Sequence, residues 1–192
     1  MIIQDMFLYF AKFPRRDGVT AMATMGASEF EEYSTLTSAI RTMQEHSLVP
    51  EIHNYVYGQS LEDLQQRISR LFGSWLYADY GEIALHPEHG SMEASQHVAV
   101  TVATKLGSNA DMLERMIASD RALEMLTKVH ARMMADAEAG QLDWLHRDAV
   151  MRAELVPFVA TELSSYGWTL LIDAQAPDML GTHQIAKTLR RL

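Results

Sequence analysis

Two hydrophobic periods take turns along this chain, and that alternation limits its fold more than any other feature. Between His97 and Leu106, Val98, Val100, Val102 and Leu106 alternate with Ala99, Thr101 and Ala103, the period of a strand with one buried face. Shortly afterwards Met112, Met116, Leu123, Leu126, Val129 and Met133 recur at helical spacing as far as about Ala139. A chain carrying both signals without strict strand–helix–strand alternation is expected to be α+β, with a largely antiparallel sheet packed against amphipathic helices.

The remaining segments fill in an element order. Residues 2–13 and 19–25 read as two strands joined through Asp17-Gly18, because Val19, Ala21, Ala23 and Met25 alternate with Thr20, Met22 and Thr24. Ser28 and Glu31 have capping-box spacing and open a predicted helix over 29–46. Ile52 to Tyr57 reads as a strand ended by Gly58, and the pair Ser60 and Asp63 opens a helix closing near Gly73. Trp75 to Leu85 reads as one aromatic-rich strand. His86 to Gln96, polar and carrying Pro87 and Gly90, reads as a long loop. Ser108 with Asp111 starts the long helical block, which Ser119-Asp120 divides and Gly140 stops. Residues 142–151 add a helical turn or two. Pro157 confines Glu154–Thr161 to an edge strand if it is a strand at all. Tyr166–Ala174 reads as a strand, and Thr182–Leu192 as a short docked helix. No repeat or linker divides the 192 residues, so one domain over 1–192 is expected.

Composition removes several classes of function. There is no cysteine, which excludes disulfide scaffolds, thiol catalysis and cysteine-ligated clusters. The formal charge of −9 argues against non-specific nucleic-acid binding. No apolar run approaches the roughly 18–20 residues of a membrane span, and the first residues lack a signal-peptide pattern; a cytoplasmic protein, free or built into a particle, is expected. The acids Glu29, Glu31 and Glu32 and the bases Lys187, Arg190 and Arg191 suit solvated helix ends.

Recognisable catalytic motifs are missing: no phosphate-binding glycine loop, no Gly-x-Ser-x-Gly elbow and no His-Glu-x-x-His. What remains is a histidine cluster. His86, His89 and His97, with Glu88 and Glu93 nearby, have the residue types to hold Zn²⁺ or another divalent transition metal. A metal-bound water with Glu88 or Glu93 as base would make a hydrolase. With eight histidines in 192 residues, roughly one such chain in three carries a His-x-x-His by chance, so this zinc-type spacing is equally that of solvated loop histidines. Trp75, Tyr77 and Tyr80 suggest core packing, or a ligand cleft beside Trp75 and Tyr80; His53, Tyr55 and Tyr57 form a similar strip. Asp79, Glu82 and Asp173 are strand-borne carboxylates, with Asp79 among apolar neighbours. The 13 methionines suit an irregular core or an adaptable contact surface; Met133 and Met134, being adjacent, cannot both face one way. The reading that follows is a non-enzymatic structural or interaction protein without cofactor. It would act as a homo-oligomer or a subunit of a larger assembly such as a virion, prophage particle or bacterial complex, with a protein partner or itself as partner. The alternative is the metal-dependent hydrolase.

Overall fold

A computed structural model describes residues 2–23, 28–43, 47–58, 65, 67–68, 70–88, 91–142 and 144–177. The first surprise is at the N-terminus, where both predicted strands are helices: α1 spans Ile2–Phe10 and α2 Arg16–Ala23. Met6, Tyr9, Phe10 and Phe13 stand at i, i+3, i+4 and i+7 and are all buried, so the helical period governs here. In α2 the alternation of Val19, Ala21 and Ala23 was misleading, because alanine and methionine are good helix formers and tertiary packing decides. Gly18 lies inside this helix and serves close approach, not a turn: a Cβ there would stand 2.0 Å from the His53 carbonyl oxygen.

Helix α3 spans Glu31–Thr42 and is shorter than expected. Its N-cap is Phe30 without a side-chain cap, so the Ser28–Glu31 box does not form; Ser28 Oγ accepts from the Phe30 N–H instead, at 3.2 Å. Strand β1 follows at Asn54–Gly58. The capping pair Ser60 and Asp63 lies outside the described residues, as does the predicted helix over 182–192.

The predicted strand from Trp75 to Leu85 is two strands, β2 (Gly73–Asp79) and β3 (Ile83–Glu88). They part at Gly81, where φ is +56° and a Cβ would collide with the His97 carbonyl oxygen. Asp79 Oδ1 accepts from the Gly81 N–H at 2.8 Å, the hydrogen-bonded role that its unusual position called for. The segment read as a long loop is instead a hairpin: β4 spans Ser91–Lys105, and Glu88 stands opposite Ser91. Strand β4 therefore begins six residues before the predicted start at His97 and forms the sheet's centre. Its first half pairs with β3, its second half with β2, and its other edge with β6 (Ser165–Pro177). Strand β5 (Glu154–Ala160) adds to β6 as the outer strand, which accommodates Pro157. The order is β1-β2-β4-β6-β5 with β3 also on β4. Only β1 with β2 is parallel, so the fold is α+β with a largely antiparallel sheet.

One helix, α4 (Met112–Glu138), runs unbroken past Ser119-Asp120. Its capping box is Asp111 with Glu114, one turn later than the Ser108–Asp111 pair. A short helix, α5 (Arg147–Met151), precedes β5. No helix among the described residues is long and apolar enough to cross a membrane.

The sheet has two unequal faces. On the larger core, Tyr55, Leu76, Ala78, Val98, Val100, Val102, Leu170 and Ile172 meet α1, α4 and Trp144. The stripe Ala118, Ala122, Met125, Leu126, Val129, Met133 and Asp136 is the buried side of α4. Met134, next to the buried Met133, packs half-buried against the same core. The opposite face holds a smaller cluster of Val56, Ile68, Trp75, Tyr77, Ala103, Ala160 and Leu163. There the buried hydroxyls of Thr101 and Thr169 join across β4 and β6 at 2.8 Å, satisfying each other.

Candidate functional site

The histidine cluster is spread along the β3–β4 hairpin and beyond. His86 stands opposite Glu93 in the ladder, and Glu88 opposite Ser91. His97 lies four positions further along β4 than Glu93, about 13 Å at the rise of a strand. His89 lies outside the described residues. His97 Nδ1 is 2.5 Å from Asp173 Oδ1 on β6, and both side chains are mostly exposed. Among the described residues no three His, Asp or Glu side chains gather around one point.

The aromatic residues divide between the two faces. Trp75 and Tyr77 are buried in the smaller cluster, where Trp75 meets Phe158 edge-on at 5.5 Å. Tyr80 packs against the larger core, its ring 5.4 Å from Tyr57. The cleft expected beside Trp75 and Tyr80 therefore does not exist, because the sheet separates them. Tyr55 and Tyr57 direct their hydroxyls to the Phe7 and Ile3 carbonyls of α1, and burial pushes both phenols well above the usual tyrosine range.

A cleft of about 640 Å³ between α4 and the ends of β2 and β4 holds a serine–histidine pair. Ser74 Oγ lies 2.9 Å from His53 Nδ1. The hydroxyl donates its one hydrogen to the Glu51 carbonyl and accepts from the His53 backbone N–H at 3.2 Å. The ring nitrogen must then be the donor in the 2.9 Å contact. A base that already carries its proton on the side facing the hydroxyl cannot take one from it, so this pair fixes a tautomer and does not activate a nucleophile. Beside it Lys128 bridges Glu51 at 2.6 Å and Glu124 at 3.1 Å. Its hydrogen bond holds the Glu51 carboxyl below the usual glutamate range.

The most unusual feature of the surface is apolar. Met112, Leu113, Met116 and Ile117 on the first turns of α4 are exposed, Met112 by 78% and Met116 by 60%. Met112 and Met116 share a helical stripe with Arg115 and Ser119, which reach β6: the Arg115 guanidinium lies 5.2 Å from the Tyr166 ring centre, and the Trp168 indole donates to Ser119 Oγ at 3.1 Å. On the far side of β6, Val159 stands opposite Tyr166, Pro157 opposite Trp168 and Leu155 opposite Leu170. Leu155 and Pro157 are exposed and Val159 is 63% exposed. Helix and edge strand thus lie to either side of the Tyr166–Trp168 strip of β6, here called the trough, with Met112 and Met116 exposed on the helix and Leu155 and Val159 on the strand. Composition pointed to adaptable methionines but assigned Met112 and Met116 to the core stripe; their exposure follows from the buried stripe passing through Ala118 and Ala122.

The chain matches no protein-family model, no curated protein and no solved structure.

Proposed function

We propose that this protein is a non-enzymatic structural subunit that works by self-association, alone or within a larger assembly, through the trough between α4 and β5. The observation that carries the reading is the exposure of large apolar side chains on the two elements that both pack on β6, Met112 and Met116 on α4 and Leu155 and Val159 on β5. Scattered single apolar residues are ordinary on a protein surface, whereas a contiguous group of this kind marks a contact site. Methionine and tryptophan favour the same conclusion, since both are enriched where surfaces meet and methionine adapts its shape to a partner. A two-fold contact requires one patch only, used twice. The edge strand beside it carries Pro157, which lacks an N–H and so weakens open-ended strand addition. Side-chain packing across the trough, not extension of the sheet, is therefore the expected mode.

Light scattering coupled to size-exclusion chromatography across a concentration series tests this. The expected result is a mass at least twice that of the 21.7 kDa chain, falling on dilution. A constant single-chain mass at every concentration would end the self-association reading. The metal-dependent hydrolase reading on His86, His89 and His97 has a separate test, elemental analysis of the purified protein for a stoichiometric transition metal.

A further inference from the structure

A cleft of about 510 Å³ opens where the ends of α1, α2 and α3 meet α4. It carries Lys12, Arg16 and Arg132, and no carboxylate lines it among the described residues. In a chain with 25 acids against 16 bases this is a local reversal of charge. Backbone bonds set its walls: the Leu48 N–H donates to the Lys12 carbonyl and the Val49 N–H to the Phe13 carbonyl, each at 3.0 Å. Each cation makes a contact that positions it. Lys12 Nζ sits 5.3 Å from the Tyr9 ring centre. Arg16 donates through Nη2 to the Arg41 carbonyl near the end of α3, tying α2 to α3. Arg132 meets both oxygens of the buried Asp136 carboxylate through Nε, at 2.8 and 2.9 Å. Asp136 therefore offsets one of the three charges from behind the wall, and the described lining residues offer no carboxylate to Lys12 or Arg16. Ala39, Met43 and Leu48 supply an apolar surface within the same cleft.

We propose that this cleft binds a small organic anion with an apolar body, of the medium-chain carboxylate type. The carboxylate lies among Lys12, Arg16 and Arg132, and the hydrocarbon lies against Ala39, Met43 and Leu48. The volume lies within the range of small-molecule sites, and the combination of a mostly apolar lining with a few convergent polar groups is how such sites are built. Arginine suits the anion because its fixed donors match a carboxylate geometrically.

Calorimetric titration of the full chain with octanoate at low ionic strength tests this, with octyltrimethylammonium and inorganic phosphate as companion titrants. Saturable binding of octanoate is expected, with the cation and phosphate each at least about tenfold weaker. One lacks the charge that the arginines select and the other the hydrocarbon. Lys12→Gln and Lys12→Glu, at an exposed position, are expected to weaken octanoate at least about fivefold without changing the thermal midpoint. Amide NMR shifts on titration should concentrate at residues 11–19, 39–43 and 47–48. Absence of saturable octanoate binding would overturn the proposal, as would equal binding of the cation, equal binding of phosphate, or unchanged affinity in both Lys12 variants.

Discussion

Tyr9 connects the core to charge. Its hydroxyl donates to Asp136 Oδ2 at 3.0 Å, and Arg132 Nε meets the same carboxylate from the solvent side. Asp136 is one of few charged side chains buried here, and it is tolerated because both partners are in place. Tyr9→Phe removes one of them and is expected to cost about 1–3 kcal/mol in denaturant unfolding. Burial and the neighbouring carboxylate push the Tyr9 phenol well above its ordinary range, and burial does the same to Tyr55 and Tyr57. Because the folded pKa values are raised, this contribution to stability is complete below the unfolded tyrosine value near 10. It is lost as pH rises from there through the folded values, by about 1.4 kcal/mol per pH unit for each tyrosine. Alkaline titration should therefore show phenolate absorbance from these three appearing together with loss of helical circular dichroism. Phenolate formation from all seven tyrosines near pH 10 with the fold intact would contradict this.

At the scale of elements, sequence patterns were informative where one period dominated and misleading where two coexisted. Val98, Val100 and Val102 announced the central strand because β-branched residues alternate with small ones. Yet β4 extends back to Ser91 across residues that show no apolar alternation, since one of the buried positions there is a glutamine, Gln96, hydrogen-bonded to the Tyr80 carbonyl. The hairpin was hidden for the same reason, and with it the separation of His86 from His97. Helices α1 and α2 escape the periodicity because α1 carries both periods and alanine is at home in either state. Ala118 and Ala122, small and easily overlooked, set which side of α4 faces the sheet, so the exposed rim of Met112 and Met116 could not be placed beforehand. Gly81 is a second such position, in the short break that lets β2 and β3 pair one after the other along the same edge of β4. Gly81→Ala combines a strained φ with a collision against the His97 carbonyl, and a loss of more than about 2 kcal/mol is expected. An unchanged thermal midpoint would show that the two strands tolerate a different junction.

For the whole molecule, the sheet uses its larger face to bury α1 and α4 and leaves its last strand uncovered on that same side. A chain of this size hides about 70% of its unfolded surface without help, so exposed apolar side chains on β5 and α4 are not forced by a shortage of core. Their grouping around Trp168 is what ties architecture to assembly. Sedimentation equilibrium comparing the natural chain with a Met116→Lys, Val159→Lys double variant tests that tie most directly. Both positions are exposed and outside the packed stripe, so the variant should keep its fold and thermal midpoint. The expected result is a natural chain that sediments as an oligomer and a variant that sediments as a single chain over the same concentrations. Equal masses for the two, whether both single or both associated, would contradict the trough as the contact surface.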